Sequence, residues 1–356
     1  MEGDDRFLDY GGQFRLVQKI ATGGMATVYE AQHLGPDGFA KRVAMKVIHP
    51  RYAREKHWLQ LFINEAKLSA DLVHGNIVQI YQLGEVDGQY YITMEYIRGP
   101  TLRSMIDRHR ELDWPMPTSI AAYIASRVCR ALDYAHNFTT PPPDSRRLDI
   151  VHRDVSPRNV MASWDGHIKL ADFGIAKANT SFDPAASRTM ALGKKHYMSP
   201  EQILGLEVDA RSDVFAVGLV LFEMLSLDQV FAEDMTELAI DEVTTRPIPL
   251  LRSRVPGAPP AIEQIIAAAL DRDPARRPSA ATMGAVLDRW CEEQPVVASP
   301  DRLQEHLVAL FPSASPWSGP HQPPGEHEVT RFSAFRRGLR TAPAPRRTLL
   351  HRLLRR

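Results

Sequence analysis

In the first part of the chain, apolar and polar residues alternate in short runs that glycines interrupt. Alternate residues of a strand point to opposite faces of a sheet, so this pattern predicts strands. One longer stretch repeats its apolar residues at helical spacing instead. We predict strands over Phe14–Ile20, Ala26–Gln32, Arg42–Ile48, Ile77–Glu85 and Gln89–Tyr96, and a helix from about Arg54 to Leu72. These elements predict a small, mostly β lobe that ends near Gly99-Pro100.

The pattern changes at Leu102, after which long apolar-periodic segments predict helices. We place them at Leu102–His109, Thr118–His136, Asp213–Leu227, Met235–Thr244, Ala261–Arg272 and Ala280–Cys291. Two regions interrupt them. Thr139–Asp149 contains three consecutive prolines and is predicted to be an exposed insertion, while Ile150–Glu201 carries short strands and polar loops. A β lobe followed by a helical lobe predicts a two-lobed α+β protein with a cleft between the lobes.

Beyond about Pro295 the composition shifts again. One amphipathic helix is predicted over Leu303–Phe311, and the residues after Pro312 are rich in Pro, Gly, Ser and Arg. Residues 331–356 carry many arginines and no acidic residue, which predicts a mostly disordered basic tail. The tail could be a solubilising end, or it could form a short basic helix that binds an acidic or anionic partner.

Composition narrows the class of protein. The 356 residues include 43 Lys+Arg and 43 Asp+Glu, so zero net charge argues against bulk electrostatic binding of nucleic acid. The two cysteines are far apart in sequence, which argues against a disulfide framework or a zinc module. The acidic start does not resemble a signal peptide, and no apolar stretch is long enough to span a membrane. We therefore expect a cytoplasmic protein without a transmembrane segment.

Two motifs in the first lobe are weak when taken alone. The segment Ile20–Val28 is rich in glycine and lies between two strands, so it could bring backbone N–H groups close to phosphates or be an ordinary hairpin turn. Lys46 lies in an apolar strand, where its ammonium group needs a partner unless it reaches solvent at the edge.

Two motifs in the second lobe are more specific. The run Val151-His152-Arg153-Asp154 continues to Asn159, and Asp172-Phe173-Gly174 follows a predicted short strand over Ile168–Ala171. Asp154, Asn159 and Asp172 thus supply three oxygen-bearing side chains within a short stretch. Hard oxygen ligands, completed by substrate phosphates, are what Mg²⁺ prefers.

In combination these motifs resemble those of bacterial, eukaryotic-like (Hanks-type) serine/threonine protein kinases. The resemblance runs from about Phe14 to Cys291 and includes the Gly-rich loop, the Val43-Ala44-Met45-Lys46 strand, the two motifs above and Ser199-Pro200-Glu201, in the family's order. It implies a kinase domain over residues 12–292, with lobes at 12–97 and 98–292. A helical extension over 293–312 and a tail over 313–356 would follow.

The resemblance also implies a role for each matching residue. Asp154 would be the catalytic base, Lys46 would hold the α- and β-phosphates of ATP, and Glu65 would pair with Lys46. Asn159 and Asp172 would bind Mg²⁺. The remaining ATP-binding positions would be Ala21, Thr22, Gly23, Gly24, Met25 and Ala26 in the loop, Val28, Ala44 and Met161 around the adenine, Met94 as gatekeeper, and Glu95 to Ile97 as hinge. Without the resemblance, Val28, Ala44 and Met161 would be ordinary core residues.

Two further matches are structural. Glu201 and Arg277 resemble the buried ion pair of the second lobe, and Asp213 resembles the acid that braces the backbone around Arg153. Arg153 itself would pair with a phosphate on the activation loop, where Ser187 and Thr189 are the best-placed acceptors. All of these loop hydroxyls could equally be unmodified.

The sequence departs from the family pattern at several positions. Ala21 and Ala26 replace two loop glycines, which should stiffen the loop and weaken ATP binding. Ser156 stands where serine/threonine kinases carry lysine, and Lys194 stands where they carry threonine. We hypothesise that the Lys194 ammonium replaces the missing catalytic lysine; otherwise Lys194 is a solvated loop residue. Arg158 occupies a position where many tyrosine kinases carry arginine.

The resemblance therefore predicts an enzyme that transfers the γ-phosphoryl group of ATP to Ser or Thr of protein substrates, with Mg²⁺, and that phosphorylates itself. Its intact catalytic positions favour activity over the main alternative, a pseudokinase scaffold that binds nucleotide and partners without turnover. A small-molecule kinase is a third alternative. The substrate, the activating signal and the oligomeric state do not follow from the sequence.

Overall fold

The structure is a computed structural model, and it describes residues 8–10, 13–143, 145–173, 195–231 and 243–314. Three predicted features lie outside these residues: the segment from Gly174 to Lys194, most of the helix at Met235–Thr244, and the tail from residue 315 onward. Contacts divide the chain into two units, Met1–Phe311 and Pro312–Arg356, and both lobes belong to the first.

Six strands of the first lobe form one antiparallel sheet in the order β1-β2-β3-β4-β6-β5. They are β1 Leu8–Tyr10, β2 Phe14–Thr22, β3 Ala26–Leu34, β4 Ala40–Ile48, β5 Ile80–Val86 and β6 Gln89–Met94. All five predicted strands are present. The sixth strand, β1, was not predicted, because its three residues are too few to produce an alternating pattern. Strand β5 begins at Ile80 rather than Ile77, because Ile77 and Val78 pair with Leu170 of the second lobe instead.

The strand register brings the residues that face the cleft side by side. Val28 of β3 pairs with Lys46 of β4, and Ala44 of β4 pairs with Met94 of β6. Ala44 and Lys46 lie two residues apart and therefore share one face of their strand. Residues of the opposite face form a separate apolar cluster, which includes Phe14, Val43, Met45 and Tyr91.

One long helix, α2, packs on the first lobe and carries Glu65. It spans Lys56–Ala70 and buries Leu61, Phe62, Ala66 and Ser69 on one side. The helix predicted from about Arg54 to Leu72 is thus present as α2, and a separate short turn that was not predicted, α1 Pro50–Ala53, precedes it. Pro50 at the first helical position suits a helix start, since proline lacks the N–H that would be left without a partner there.

The second lobe is mainly helical. Its helices are α3 Leu102–Glu111, α4 Thr118–His136, α5 Pro200–Ile203, α6 Ala210–Ser226, α7 Pro260–Ala269, α8 Ala280–Glu292 and α9 Pro300–Leu310. Helices α4 and α6 are buried along most of their length and form the centre of this lobe. The predicted two-lobed α+β architecture is confirmed.

A short hairpin and the last helix complete the second lobe. The hairpin joins β7 Val160–Ala162 to β8 Ile168–Leu170, and its turn contains Gly166 at φ +78°. A Cβ atom at Gly166 would collide with the carbonyl oxygen of Pro300, so glycine allows α9 to approach the turn. The predicted helix at Leu303–Phe311 is therefore present as α9, packed against the hairpin.

Residues 139–149 form a protruding loop closed by a bridge between Thr139 and Arg147, and every described residue after Thr140 in that loop is exposed. Among the helices of the described residues, none has the length and apolar character needed to cross a membrane.

Candidate active site

Lys46 stands at the centre of a charged cluster between the lobes. Its Nζ lies 2.6 Å from Oε1 of Glu65 and 2.9 Å from Oδ1 of Asp172. Burial disfavours the ammonium form, but the charges of Asp172 and Glu65 outweigh it and raise the pKa of Lys46 above its ordinary value. Lys46 therefore remains a cation at physiological pH, and the predicted contact with Glu65 is present.

Asp172 reaches Lys46 because the chain turns sharply after β8. Its backbone is left-handed, with φ 54°, a conformation that Asp adopts more readily than most residues. The next residue, Phe173, is buried and packs against the ring of His152 with 4.5 Å between centroids. This packing fixes where the Asp172 carboxylate points.

Asp213, at the start of α6, holds the loop that carries Asp154. Its two carboxylate oxygens accept the backbone N–H groups of His152 at 2.8 Å and of Arg153 at 2.7 Å. A third contact joins Oδ2 to Nε2 of His136 at 2.8 Å. Arg153 has φ 62°, which costs energy for a non-glycine residue, so these bonds stabilise a strained backbone. The predicted brace is confirmed.

Asp154 and Asn159 face each other across this loop. Nδ2 of Asn159 donates to the backbone oxygen of Asp154 at 2.8 Å and to its Oδ2 at 3.0 Å. The amide oxygen is consequently the Asn159 atom that can ligate a cation. Both side chains are almost fully buried, so few rotamers are open to them.

His152 connects the Asp154 loop to the strand before Asp172. Burial lowers the pKa of its imidazole, so the ring is neutral, with one donor and one acceptor nitrogen. Nε2 lies 3.1 Å from the Ala171 carbonyl oxygen and donates to it, while Nδ1 accepts the Asp154 N–H at 3.2 Å. Ala171 N–H also donates to the Asn159 carbonyl. The predicted base and metal ligands thus share one hydrogen-bonded framework.

Apolar residues of the sheet, the hinge and β7 pack together. Ala44, Met94 and Ile97 belong to one buried cluster, and Val28 and Met161 pack against it. The chain passes close to β7 just after this cluster, at Gly99, where a Cβ atom would collide with the Ala162 carbonyl oxygen. The structure therefore brings together the five apolar residues that the resemblance assigned to the adenine site.

The hinge residues are attached to both lobes through their side chains. Oε2 of Glu95 accepts from Nζ of Lys169 in β8 at 2.8 Å. The hydroxyl of Tyr96 donates to Oε2 of Glu30 at 3.1 Å. Glu30 is almost fully buried in β3 and also contacts Gln18 and Arg42. Sequence reasoning missed Glu30 and Lys169, since neither belongs to a motif.

The glycine-rich segment forms a tight turn between β2 and β3. Gly23 N–H donates to the Ala26 carbonyl oxygen at 2.9 Å, and residues 21–24 are exposed at the edge of the lobe. The methyl group of Ala26 is buried in the same cluster as Ala44. Packing of this methyl group restrains the loop at the position where a third glycine is absent.

Glu201 and Arg277 form the predicted buried ion pair. The two guanidinium nitrogens of Arg277 lie 2.6 and 2.8 Å from the two carboxylate oxygens of Glu201. Burial would raise the pKa of Glu201, but hydrogen bonds from Arg277 and Ser212 lower it below its ordinary value. The pair holds the turn after Ser199 against the second lobe.

Lys194, Ser187 and Thr189 lie outside the described residues. Ser156 is buried, and its hydroxyl has no hydrogen-bond partner in the described part of the chain. Arg158 is exposed, beside Asn159.

Residues 14–289 match the family described as "Protein kinase domain". This match covers well over half of the chain, so the chain belongs to the protein kinase family. Its relatives within that family include bacterial kinases of the Hanks type. The chain is 35% identical over 267 residues to the serine/threonine-protein kinase PrkC of Bacillus subtilis, which covers 75% of this chain and 38% of PrkC.

Other relatives extend the comparison. The chain is 33% identical over 324 residues to the serine/threonine-protein kinase PknL of Mycobacterium tuberculosis, covering 89% of this chain and 76% of PknL. It is 34% identical over 284 residues to the tyrosine-protein kinase MasK of Myxococcus xanthus, covering 79% and 43%. The chain thus spans less than half the length of PrkC and MasK.

A solved structure shows the same fold. The crystal structure of the Mycobacterium tuberculosis PknI kinase domain superposes with a TM-score of 0.58 at 26% sequence identity. The superposition covers 80% of this chain and 98% of that domain. The protein-kinase fold predicted from the motifs is therefore confirmed.

Proposed function

We propose that this chain is an ATP-dependent serine/threonine protein kinase. The observation that carries the proposal is the position of Lys46, whose ammonium group contacts Glu65 and Asp172 at once. This arrangement connects the helix of the first lobe to the loop that follows β8, beside Asp154 and Asn159. Phosphoryl transfer requires positioning and charge neutralisation rather than a covalent enzyme intermediate, and this cluster supplies both.

Each residue contributes one function in this proposal. Lys46 would bind the α- and β-phosphates, and Glu65 would keep its ammonium group directed into the cleft. The Asp154 carboxylate would orient the acceptor hydroxyl and receive its proton. The Asp172 carboxylate and the amide oxygen of Asn159 would hold Mg²⁺, which when bound neutralises charge on the phosphates. Val28, Ala44 and Met161 would enclose the adenine, beside Met94 and the hinge.

The comparisons favour an active kinase over the scaffold alternative. The relatives are named as kinases, and Lys46, Glu65, Asp154, Asn159 and Asp172 are all retained. They also favour protein substrates over a small-molecule acceptor. PrkC and PknL are named serine/threonine kinases and MasK a tyrosine kinase, so the acceptor hydroxyl needs direct measurement. We propose that the reaction takes place in the cytoplasm and serves signalling.

We further propose that the Lys194 ammonium group acts near the γ-phosphate in place of the lysine that Ser156 replaces. The Ser156 hydroxyl is buried and has no hydrogen-bond partner among the described residues, which supports a partner from outside them at this point of the loop. Lys194→Thr should then abolish turnover, and Lys194→Thr combined with Ser156→Lys should restore part of it. Full activity of the single variant would refute this assignment.

Regulation and partners are a separate part of the proposal. We propose that Arg153 receives a phosphate that the enzyme places on Ser187 or Thr189. The basic tail would bind an acidic or anionic partner. Thr348, which follows two arginines in the tail, would be an intramolecular substrate of the enzyme. Kinase activity of variants with Ala at both loop positions, compared with a variant lacking residues 313–356, would separate these two contributions.

The experiment that tests the proposed function follows labelled γ-phosphate from Mg²⁺·ATP into protein. The full chain is incubated alone and with a generic protein substrate, and the acceptor residues are mapped by mass spectrometry. We expect phosphoserine and phosphothreonine. Label recovered only on tyrosine would correct the substrate class, and label recovered only in a small molecule would contradict the proposal.

A further inference from the structure

Three contacts attach the glycine-rich turn and the start of β3 to the segment that follows β4. The backbone N–H of His49 donates to the Met25 carbonyl oxygen at 2.9 Å. Nε2 of His49 lies 3.0 Å from Oγ1 of Thr27. Nη2 of Arg51 donates to the Gly24 carbonyl oxygen at 3.1 Å. Two successive carbonyl groups of the turn are therefore bound by residues 49–51.

The bound carbonyl groups determine the direction of the neighbouring N–H groups. A trans peptide unit is planar, and its C=O and N–H bonds point in opposite directions. When Arg51 holds the Gly24 carbonyl, the N–H of Met25 points away from residues 49–51. The same holds for the Ala26 N–H when His49 binds the Met25 carbonyl. Hydrogen bonds from residues 49–51 to these two carbonyl oxygens thus set the orientation of the turn that would bind phosphates.

The segment that holds the turn is itself anchored to the helix that carries Glu65. The Arg51 guanidinium lies over the Tyr52 ring, 4.6 Å from its centroid. Tyr52 packs edge-on against Trp58 of α2, with 5.5 Å between ring centroids. The loop tip and helix α2 are therefore connected through Arg51 and Tyr52 by short, direct contacts.

We propose that Arg51, assisted by His49, is a positioning residue for phosphate binding, because it fixes the orientation of the glycine-rich turn. This inference rests on the proposed function. Glycines are absent at positions 21 and 26, and the buried Ala26 methyl group already restrains one end of the turn. Arg51 and His49 restrain the tip. Substituting either residue should therefore change the affinity only for ligands that carry phosphates.

A competing explanation is that Arg51 makes an ordinary surface contact. Its side chain is exposed, and exposed hydrogen bonds often contribute little to stability. The two explanations differ in ligand dependence. A surface contact would leave the affinity for ATP unchanged, and a general loss of structure would lower the affinity for adenosine as well as for ATP.

The test compares Arg51→Ala with Arg51→Lys and with Arg54→Ala, in the full chain. Arg54 is an exposed arginine three positions further on and makes a matched control. Affinities for Mg²⁺·ATP, Mg²⁺·ADP and adenosine are measured by calorimetry. We expect Arg51→Ala to weaken ATP and ADP binding by about three- to tenfold, from loss of one charge-assisted bond, with adenosine unchanged. Arg51→Lys should recover part of the loss, and Arg54→Ala should match the unsubstituted chain.

Kinetics and a double variant supply a second readout. Arg51→Ala should raise KM for ATP while KM for a protein substrate stays constant. Thr27→Val and His49→Ala each remove the side-chain contact between His49 and Thr27 and leave the backbone N–H of His49 in place. Each should weaken ATP binding, and the double variant should weaken it no further than the stronger single variant, because both substitutions remove the same contact. Unchanged ATP affinity in Arg51→Ala, or equal losses for ATP and adenosine, would overturn the inference alone. Absence of ATP binding by the unsubstituted chain would overturn the proposed function as well.

Discussion

The Tyr96 hydroxyl donates a hydrogen bond to the Glu30 carboxylate, 3.1 Å away, and so joins the hinge to the middle of the first-lobe sheet. Glu30 is almost fully buried, and it also accepts from Gln18 and pairs with Arg42. Three neighbouring side chains thus contact the buried carboxylate of Glu30. Removing the carboxylate would leave these donors without their shared acceptor.

Glu30→Ala should therefore lower the free energy of unfolding by about 1–3 kcal/mol, since a buried hydrogen-bond network loses its centre. The expected loss is moderate because Arg42 is half-exposed and can turn to solvent. Urea denaturation measures the effect. Glu207→Ala, at an exposed position, should stay within about 0.5 kcal/mol of the unsubstituted chain. Equal effects of the two substitutions would contradict the role given to Glu30.

Breaking the ion pair between Glu201 and Arg277 should lower the free energy of unfolding by more than Glu30→Ala does. Both side chains are buried, so Arg277→Ala would leave an uncompensated carboxylate in the second lobe. We expect a loss of about 3–5 kcal/mol in the free energy of unfolding. Arg276→Ala is the matched control, because that neighbouring side chain is 74% exposed. A loss as small as that of the control would show that the pair does not stabilise the fold.

Asp213 should affect activity through the backbone that it braces. Asp213→Asn keeps the size of the side chain but replaces one acceptor oxygen by an amide group, which cannot accept from both His152 and Arg153. We expect kcat to fall by at least about tenfold. Nucleotide affinity should change little, because Asp213 does not line the cleft. An unchanged kcat would contradict this assignment.

Stability should also depend on pH through a buried histidine pair. Nε2 of His109 on α3 lies 3.0 Å from Nε2 of His306 on α9. Burial, and secondarily the neighbouring His109, lower the pKa of His306 from 6.5 to about 3; burial also lowers that of His109. The unfolded chain therefore binds more protons than the folded chain below about pH 6.5.

This pKa difference sets the sign of the effect. The full contribution of His306 is present above about pH 6.5 and is lost as the pH falls, by about 1.4 kcal/mol per pH unit. The free energy of unfolding should decline as the pH falls from about 7 to about 5. His306→Gln should reduce the slope of the free energy of unfolding against pH. His167→Gln, at an exposed position, should leave the slope unchanged. Equal slopes in both variants would contradict the prediction.

The parts of the site that follow from the sequence are those in which chemistry restricts the residue type. A recognisable pattern marks Lys46 in its apolar strand and the motif residues Asp154, Asn159 and Asp172. In the structure Lys46 contacts Asp172, and Asn159 contacts Asp154. Long apolar periodicity likewise predicts α4 and α6, because both are buried over most of their length.

Other features leave no local pattern. Glu30 and Tyr96 are 66 positions apart, and His109 and His306 are 197 apart, so only the folded chain shows that they meet. The side chains of His49 and Arg51 contact the segment around the glycine-rich turn over 22 and 27 positions of sequence, so no local pattern reveals these contacts either. Helix and strand ends differ from prediction for similar reasons, as at Ile77.

The most direct test of the account compares the unsubstituted chain with Asp154→Asn in two measurements on the same preparations. Calorimetry gives the affinity for Mg²⁺·ATP, and γ-phosphate incorporation into protein gives turnover. We expect similar affinities for the two proteins and phosphate transfer by the unsubstituted chain only, because Asp154 orients the acceptor and does not hold the nucleotide. Equal incorporation by both proteins, or nucleotide binding without transfer by either, would contradict it.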